Sequence, residues 1–393
     1  MIKRQAEETL RRLAMQFPVV GVTGPRQSGK STLVTSVFPH KRYVTFDDKD
    51  MREVAASAPH DFLLAFPDGA IIDEAQKVPE IFDAIKKKVD EGPYQPGTYI
   101  LTGSSQFHLR KNMTDSLAGR AAFLTLLPFS LKELRDAQLL PDIPYELAYQ
   151  GFYPPLHDKT KHYLPEDWFE AYINTYLDLD VNESINFSHL STFRTFLTLC
   201  ADMSGKMLSM NALSNAVGVS VPTVRNWLSI LEASYIIHFL QPDSTNLGKA
   251  VVKTPKLYFV DTGLLCHLLR FDSPEALILS TSKGPVIETL AVAELLKQRL
   301  NQGKRPNLTF YRDRSGLEVD TIADWKQDFA IEVKSDQGVE KKHASNIVKY
   351  LALKHQEPVK GVVWYLGDTR FTLQGIPYIP WKEWADFEDS QAE

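Results

Sequence analysis

Residues 19–32, which read VVGVTGPRQSGKST, decide the fold of the N-terminal part of the chain. Residues 19–23 are typical of a buried strand, and a helical run over 32–37 follows the glycine-rich turn. Further apolar runs occur at residues 43–46, 70–72, 98–101 and 121–127, with helical stretches at 79–90 and 131–137. This alternation of strands and helices predicts a mainly parallel sheet with helices on its faces.

The turn at residues 24–32 fits the pattern Gly-x4-Gly-Lys-Ser/Thr without a mismatch. Its glycines let consecutive backbone N–H groups point at phosphates, and the helix that follows adds the positive end of its dipole. In such a loop Lys30 reaches the β- and γ-phosphates and the Ser31 hydroxyl ligates Mg²⁺. The sequence therefore predicts a site for ATP and Mg²⁺ formed by Gly24, Pro25, Arg26, Gln27, Ser28, Gly29, Lys30, Ser31 and Thr32.

Two carboxylates close the apolar run AIIDE at residues 70–74. Asp73 is the predicted acidic partner of the loop, holding Mg²⁺ together with Ser31. Glu74 is the predicted general base, placed to polarise the attacking water. A solvated acidic turn is the alternative for this strand end taken alone, but its combination with the phosphate loop favours the functional interpretation.

A polar strand end and two arginines complete the candidate catalytic residues. The run YILTGSSQ at residues 99–106 could direct Ser104 or Ser105 at the γ-phosphate or the water, although simple turn chemistry explains the same residues equally well. Arg26 and Arg120 could stabilise charge in the transition state, in their own chain or in a neighbour. For Arg120, a structural salt bridge is an equally good interpretation.

Four N-terminal motifs together resemble one group of proteins: residues 24–32, IDEAQ at 72–76, LTGSS at 101–105 and SLAGR at 116–120. The group comprises prokaryotic AAA-type ATPases that share a C-terminal domain of unassigned role. YFVDTGL at residues 258–264 is similar to the same group, so the resemblance covers essentially the whole chain. It implies a P-loop ATPase of the additional-strand class and no particular biological process.

Residues 208–228 predict a helix–turn–helix, with Gly218 in the turn, Ser220 as a helix cap and Pro222 in the first turn of the second helix. One interpretation is a winged-helix DNA reader that exposes Thr223, Arg225 and Asn226 to a groove. The other is a helical packing unit or a contact between copies. Because the second helix carries one basic residue, neutralisation of DNA phosphates would be weak and the second interpretation is favoured.

A set of charged residues follows in the C-terminal part. Glu288 lies on a predicted helix, Asp320 on a strand with alternating acidic and apolar residues, and Glu332 and Lys334 on the next strand. Side chains two apart in a strand share a face, so a hairpin can bring these four together. The pattern Asp…Glu-x-Lys after a helical Glu resembles the PD-(D/E)xK nuclease fold, which implies a metal-dependent nuclease site. A charged hairpin facing solvent, or the same fold without activity, is the alternative.

The length and composition set the expected organisation. The 393 residues are too many for one core, and the strand signal stops near residue 138 where proline and tyrosine become frequent. We expect an α/β protein with an AAA-type P-loop NTPase domain at 1–137, a linker at 138–165, a helical winged-helix-like domain at 166–280 and an α/β nuclease-like domain at 281–393. Two cysteines without Cys-x-x-Cys spacing argue against a zinc knuckle or a disulfide framework.

A net charge of -5 argues against a protein that coats polyanions, and no apolar run is long enough for a membrane span. We therefore expect a cytoplasmic protein with ATP as ligand and with DNA, a second copy or another protein as candidate partners. Three hypotheses remain. They are an ATPase that moves its C-terminal domains and has DNA as a candidate substrate, an ATP-regulated metal-dependent DNA nuclease, and a nucleotide-binding switch or scaffold with little turnover.

Overall fold

The computed structural model describes residues 2–93, 95–103, 106–176, 190–243, 252–354 and 358–388. The chain divides into two compact units. The first unit contains Met1–Phe129, Ala233–Tyr235 and Arg299–Lys304, and the second contains Ser130–Glu232, Ile236–Gln298 and Arg305–Glu393. Among the described residues, no helix is both long and apolar enough to cross a membrane.

The first unit alternates strands and helices, as the sequence predicts. Its strands are β1 (Val19–Thr23), β2 (Arg42–Thr45), β3 (Ala70–Asp73), β4 (Tyr99–Gly103) and β5 (Ala121–Thr125). Its helices are α1 (Ala6–Ala14), α2 (Lys30–Val37), α3 (Lys49–Ser57), α4 (Pro59–Leu64), α5 (Glu80–Glu91) and α6 (Gln106–Leu117). A 3-10 turn at Ala75–Lys77 follows β3.

These five strands form one parallel sheet in the order β2-β3-β4-β1-β5. Strand β4 lies between β1 and β3, so one additional strand separates the phosphate loop from the acidic strand end. Because all strands run in the same direction, the carboxyl ends of β1, β3 and β4 meet at one edge. The expected α/β fold with a mainly parallel sheet is confirmed.

Helices cover both faces of this sheet because successive strand residues point to opposite sides. On one face Val20 and Val22 pack with Leu10 of α1 and Val34 of α2. On the other face, α6 approaches β1 so closely that a Cβ at Gly21 would lie 2.6 Å from the Met113 sulfur. Strand β1, which leads into the phosphate loop, is therefore fully buried.

The second unit begins with helices and continues into a mixed sheet. Its helices are α7 (Leu131–Asp136), α8 (Pro144–Gln150), α9 (Pro165–Tyr176), α10 (Leu190–Asp202), α11 (Met210–Val217), α12 (Val221–Ala233), α13 (Thr262–Leu268), α14 (Pro274–Leu279), α15 (Lys283–Asn301) and α16 (Ser345–Leu353). Its strands are β6 (Lys206–Met207), β7 (Ile237–Pro242), β8 (Lys256–Phe259), β9 (Leu308–Arg312), β10 (Glu318–Asp324), β11 (Asp328–Lys334), β12 (Val359–Tyr365), β13 (Phe371–Leu373) and β14 (Ile376–Pro380). The last residues of α12 and of α15 belong to the first unit.

The strands of the second unit form one sheet in the order β13-β14-β12-β11-β10-β9-β7-β8-β6. Strand β10 pairs antiparallel with both β9 and β11, and β11 pairs parallel with β12. The hairpin predicted for residues 316–334 is therefore present as β10 and β11. It lies inside a larger sheet and not on a solvated edge.

The predicted helix pair is present as α11 and α12. The Ser209 hydroxyl accepts a hydrogen bond from the Ala212 N–H at the start of α11, and Gly218 ends this helix with a φ of 73°. Ser220 accepts a hydrogen bond from the Thr223 N–H, 3.3 Å away, at the start of α12. Both caps satisfy backbone groups that the helices leave unpaired, and the cap at Ser220 is the one that the sequence predicts.

The segment predicted as a linker, residues 138–165, is instead part of the second unit. Within it, α8 buries Tyr145, Leu147 and Ala148, and the 3-10 turn at Pro154–His157 buries Leu156. Pro144 and Pro154 stand at the first positions of these two elements, where a missing N–H costs nothing. The structure also divides the chain at Phe129 and Ser130, before α7, and not at the expected 137.

Candidate functional site

The loop at residues 24–32 has the backbone that its glycines predict. Gly24 has a φ of 153°, and a Cβ there would lie 2.0 Å from the Leu126 carbonyl oxygen. Gly29 has a φ of 91° immediately before α2 begins at Lys30. Residues with a side chain rarely adopt such backbone conformations, so both positions require glycine.

Lys30 is buried at the start of α2. Its ammonium donates hydrogen bonds to the carbonyl oxygens of Gly24 at 3.0 Å and Pro25 at 2.8 Å. The loop therefore folds around the charge of its own lysine. A phosphate group would offer that ammonium charged oxygens, which make stronger hydrogen bonds than neutral carbonyls do.

The two predicted metal residues lie in direct contact, because the Ser31 hydroxyl donates to Asp73 Oδ2 at 2.8 Å. The Tyr43 hydroxyl donates to the same oxygen at 2.6 Å, and Thr102 donates to Asp73 Oδ1. Asp73 ends β3 and Thr102 is next to the end of β4, whereas Tyr43 is the second residue of the neighbouring strand β2. Burial, followed by the hydrogen bond to Asp73, raises the pKa of Tyr43, so this hydroxyl remains a donor.

Glu74 has a left-handed backbone with a φ of 53°. Its N–H donates to Asp73 Oδ1 at 3.2 Å, and its Oε2 accepts from the Gln76 side-chain amide at 2.5 Å. A Cβ at Gly103 would lie 2.2 Å from Gln76 Oε1, so the glycine that ends β4 makes room for this amide. A non-glycine residue in this conformation stores strain on the order of 1–3 kcal/mol, which is common at functional sites.

Arg120 is far from the loop in its own chain. It precedes Ala121, which pairs with Val19 at the start of β1, whereas the loop follows Thr23 at the other end. A five-residue strand spans about 15 Å, so Arg120 is at the opposite edge of the sheet. Its guanidinium instead donates to Asp90 Oδ2 at 2.9 Å. Arg120 is therefore not placed to act on the nucleotide of its own chain, and a role towards a neighbouring copy stays a prediction.

The structure says less about the remaining candidate site residues of the first unit, Arg26, Ser104 and Ser105. Arg26 lies in the loop and is half-buried. Ser104 and Ser105, the candidate polar residues after β4, lie outside the described residues. The strand before them, β4, ends at Gly103 and lies between the strands that carry the loop and Asp73.

Arg4 supports the loop, and the sequence motifs gave no signal for it. One of its guanidinium nitrogens donates to the Ser28 carbonyl at 2.7 Å and the other to the Leu127 carbonyl at 2.7 Å. The side chain is buried, and its guanidinium carbon lies 4.9 Å from the centre of the Phe129 ring. A planar fork that bonds two carbonyls ties the loop backbone to the segment after β5.

Tyr235 is a second residue that the motifs did not indicate. It belongs to the first unit, two residues after the end of α12. Its hydroxyl lies 2.7 Å from Thr23 Oγ1 and 3.3 Å from Thr125 Oγ1. Since Thr23 directly precedes Gly24, this tyrosine is next to the start of the phosphate loop.

In the second unit, the four predicted C-terminal residues come together. The pairing of Thr321 with Ile331 continues by one step to place Asp320 opposite Glu332, and Asp320 Oδ2 accepts from the Val333 N–H at 2.9 Å. The Lys334 ammonium donates to Glu332 Oε1 at 2.7 Å. Burial and the charge of Asp320 raise the pKa of both Glu332 and Glu288, which places Glu288 near the same carboxylates.

Three further residues belong to this cluster: Lys256, Tyr258 and Glu318. Sequence reasoning did not identify them as site residues. The Lys256 ammonium contacts Glu288 Oε1 at 2.9 Å and Glu318 Oε1 at 2.7 Å. The Tyr258 hydroxyl donates to Glu288. We call Glu288, Glu318, Asp320 and Glu332 the acidic cluster. Among the described residues, no group of three or more His, Cys, Asp or Glu is arranged to hold a metal ion.

The first unit is therefore an AAA-type P-loop ATPase domain, and the chain is a P-loop ATPase. Residues 16–135 match the model of a family described as an AAA domain. Residues 143–275 and 283–384 match two models described as domains of unknown function, DUF8612 and DUF4143. The resemblance of the N-terminal motifs is thus confirmed, as is a C-terminal domain of unassigned role.

Similar proteins come from bacteria and archaea. An uncharacterised protein of Mycobacterium tuberculosis is 29% identical over 320 residues, which cover 81% of this chain and 70% of that protein. One of Methanocaldococcus jannaschii is 21% identical over 331 residues, covering 77% and 71%. Among solved structures, a Walker-type ATPase of Pyrococcus abyssi is 15% identical with a TM-score of 0.47, and the match covers 68% of this chain and 96% of that chain.

Proposed function

We propose that the chain binds ATP together with Mg²⁺, hydrolyses it, and uses the change of nucleotide state to move its C-terminal domains. The main observation in support of this proposal is the 2.8 Å contact between Ser31 and Asp73, next to a complete phosphate loop. These two residues fit an Mg²⁺ ion, because a hydroxyl and a carboxylate at this spacing supply the oxygen ligands that Mg²⁺ prefers. Bound Mg²⁺ would neutralise part of the phosphate charge.

Each residue of the site then has one task in the proposed reaction. The backbone amides of the loop bind the phosphates, and the Lys30 ammonium leaves the carbonyls of Gly24 and Pro25 for the β- and γ-phosphates. Glu74 orients the attacking water and accepts its proton. The short bond from Gln76 supports this role because it orients the Glu74 carboxylate.

Tyr235 supports the proposed movement of the C-terminal domains. It is joined through Ala233 to α12 of the helix pair, and its hydroxyl lies 2.7 Å from Thr23 Oγ1 at the base of the loop. A rearrangement of the loop around ATP would therefore reach α12 directly. We expect Tyr235→Phe to keep ATP binding while weakening the effect of ATP on proteolysis of residues 190–243.

DNA is the candidate substrate of the moving domains. The order α10, β6, α11, α12, β7, β8 with the three-stranded arrangement β6-β8-β7 supports the proposal of a winged helix, and α12 exposes Arg225 and Asn226. A packing unit or a contact between copies is the alternative, since α12 carries one basic residue. Fluorescence anisotropy with labelled duplex DNA would decide, with wild type and Arg225→Ala compared at two salt concentrations.

Phosphate release by the purified chain tests the proposal itself. We expect Mg²⁺-dependent turnover that Lys30→Ala abolishes, measured over a range of protein concentrations because assembly could be required. A chain without turnover at any concentration, indistinguishable from Lys30→Ala, contradicts the proposal.

A metal-dependent nuclease is the competing candidate. The convergence of Asp320, Glu332 and Lys334 is the observation in its favour, and the order α15, β9, β10, β11, α16, β12 agrees with the resemblance to PD-(D/E)xK nucleases. The positive charge of Lys256 in the same cluster weighs against it. Linear, circular and single-stranded DNA would be incubated with the chain and Mg²⁺ or Mn²⁺. Cleavage that Asp320→Ala and Lys334→Ala both abolish would support the nuclease.

A further inference from the structure

Lys256 lies inside the acidic cluster and not on the protein surface. Its side chain is 3% exposed, and its ammonium bridges Glu288 Oε1 at 2.9 Å and Glu318 Oε1 at 2.7 Å. These carboxylates come from α15 and β10, while Lys256 begins β8. One buried ammonium thus joins three elements of the second unit.

The second oxygen of Glu318 and the carboxylates of Glu332 and Asp320 also have partners within the protein. Glu318 Oε2 accepts from Arg312 at 2.9 Å, Glu332 Oε1 from Lys334 at 2.7 Å, and Asp320 Oδ2 from the Val333 N–H. The four carboxylates are therefore balanced by three cationic side chains of the same unit. A divalent cation beside them would place two further positive charges next to a buried ammonium that cannot move into water without breaking both ion pairs.

We propose that Lys256 is the resident cation of the acidic cluster, and that this cluster holds α15, β8 and β10 together without a divalent metal ion. The nuclease resemblance implies a metal ion among Glu288, Asp320 and Glu332. The residues present do not fit such an ion, because the Lys256 ammonium already supplies positive charge to these carboxylates. The acidic cluster is then a structural ion-pair network and not the site of a metal-dependent nuclease.

One observation favours a metal instead. Glu332 Oε2 is buried and has no hydrogen-bond partner among the described atoms. The experiment must therefore measure metal binding directly and not infer it from cleavage.

Binding of Mn²⁺ to the full chain without nucleotide tests this inference, measured by the loss of the free-ion signal in electron paramagnetic resonance. We expect wild type and Lys256→Arg to bind no Mn²⁺ that depends on Asp320. Lys256→Met removes the charge at similar volume, and should gain a site at least about tenfold tighter than any in wild type. The double variant Lys256→Met/Asp320→Asn should lose this site.

Two results overturn the inference. One is stoichiometric Mn²⁺ binding by wild type that Asp320→Asn abolishes. The other is a folded Lys256→Met protein that binds no more Mn²⁺ than wild type. If Lys256→Met does not fold, the comparison of wild type with Asp320→Asn still decides. None of these readouts uses ATP, so failure of the proposed ATPase coupling would leave them unchanged.

Discussion

The Tyr43 hydroxyl donates a 2.6 Å hydrogen bond to Asp73 Oδ2, the same carboxylate oxygen that accepts from Ser31. A tyrosine on β2 thus orients the acidic residue on β3 that faces the phosphate loop. Thr102 on β4 holds the other carboxylate oxygen. Side chains from both neighbouring strands therefore hold the Asp73 carboxylate.

Tyr43→Phe should weaken the Mg²⁺ dependence of ATP hydrolysis. A hydrogen bond to a charged group contributes about 1.5–3 kcal/mol, so we expect the Mg²⁺ concentration for half-maximal turnover to rise by about ten- to a hundredfold. Turnover at saturating Mg²⁺ should stay close to wild type. The exposed Tyr163→Phe is the matched control, and equal Mg²⁺ curves for both variants would show that Tyr43 does not position Asp73.

Glu74→Gln should keep ATP binding and lose hydrolysis. The amide has the size of the carboxylate but cannot accept a proton, and loss of a general base costs about 10²–10⁴-fold in rate. Calorimetry measures binding and phosphate release measures turnover. The exposed Glu80→Gln serves as the control. Unchanged turnover in Glu74→Gln would instead favour a nucleotide-binding switch with little hydrolysis of its own.

Arg4→Lys should weaken ATP binding although the charge is retained. A lysine cannot donate to the Ser28 and Leu127 carbonyls in the fork geometry of the guanidinium, so the link between the loop and the segment after β5 is weakened. We expect a loss of stability of about 1–3 kcal/mol and a several-fold weaker affinity for ATP. Denaturant unfolding and calorimetry measure the two effects. Lys3→Ala, at an exposed neighbour, should change neither.

His157 should make the second unit less stable in acid. Burial lowers the pKa of His157 to about 4, and its Nε2 lies 2.9 Å from the Gly151 carbonyl oxygen. The unfolded chain binds the proton below about pH 6.5 while the folded chain does not, so stability is present above that pH and falls as the pH drops towards 4. The full effect is on the order of 3 kcal/mol.

His157→Gln should flatten this pH dependence between pH 6.5 and 4, because the glutamine amide can replace the bond to Gly151 without titrating. Urea unfolding at several pH values measures the slope. The exposed His60→Gln should leave the slope as in wild type. An identical slope in His157→Gln would mean that this histidine is not the titrating group.

Sequence reasoning found those parts of the site that depend on local backbone chemistry. Gly24 and Gly29 are required by their own φ angles, and Lys30 follows from the helix that begins there. Asp73 and Glu74 were predictable because a parallel sheet brings the carboxyl ends of its strands to one edge. The prolines near residue 150 misled the domain prediction, since a proline at a helix start looks the same in sequence as one in a linker.

The sequence by itself determined the phosphate loop, the acidic strand end and the α/β class, because these depend on short spacings and on strand periodicity. Only the tertiary structure decided which distant groups support them: Arg4 under the loop, Tyr43 beside Asp73, and Lys256 among carboxylates from α15 and β10. The physical reason is that a buried charge or hydroxyl takes the partner that packing brings to it. Partners 123 positions apart in the chain, such as Arg4 and Leu127, share no local pattern.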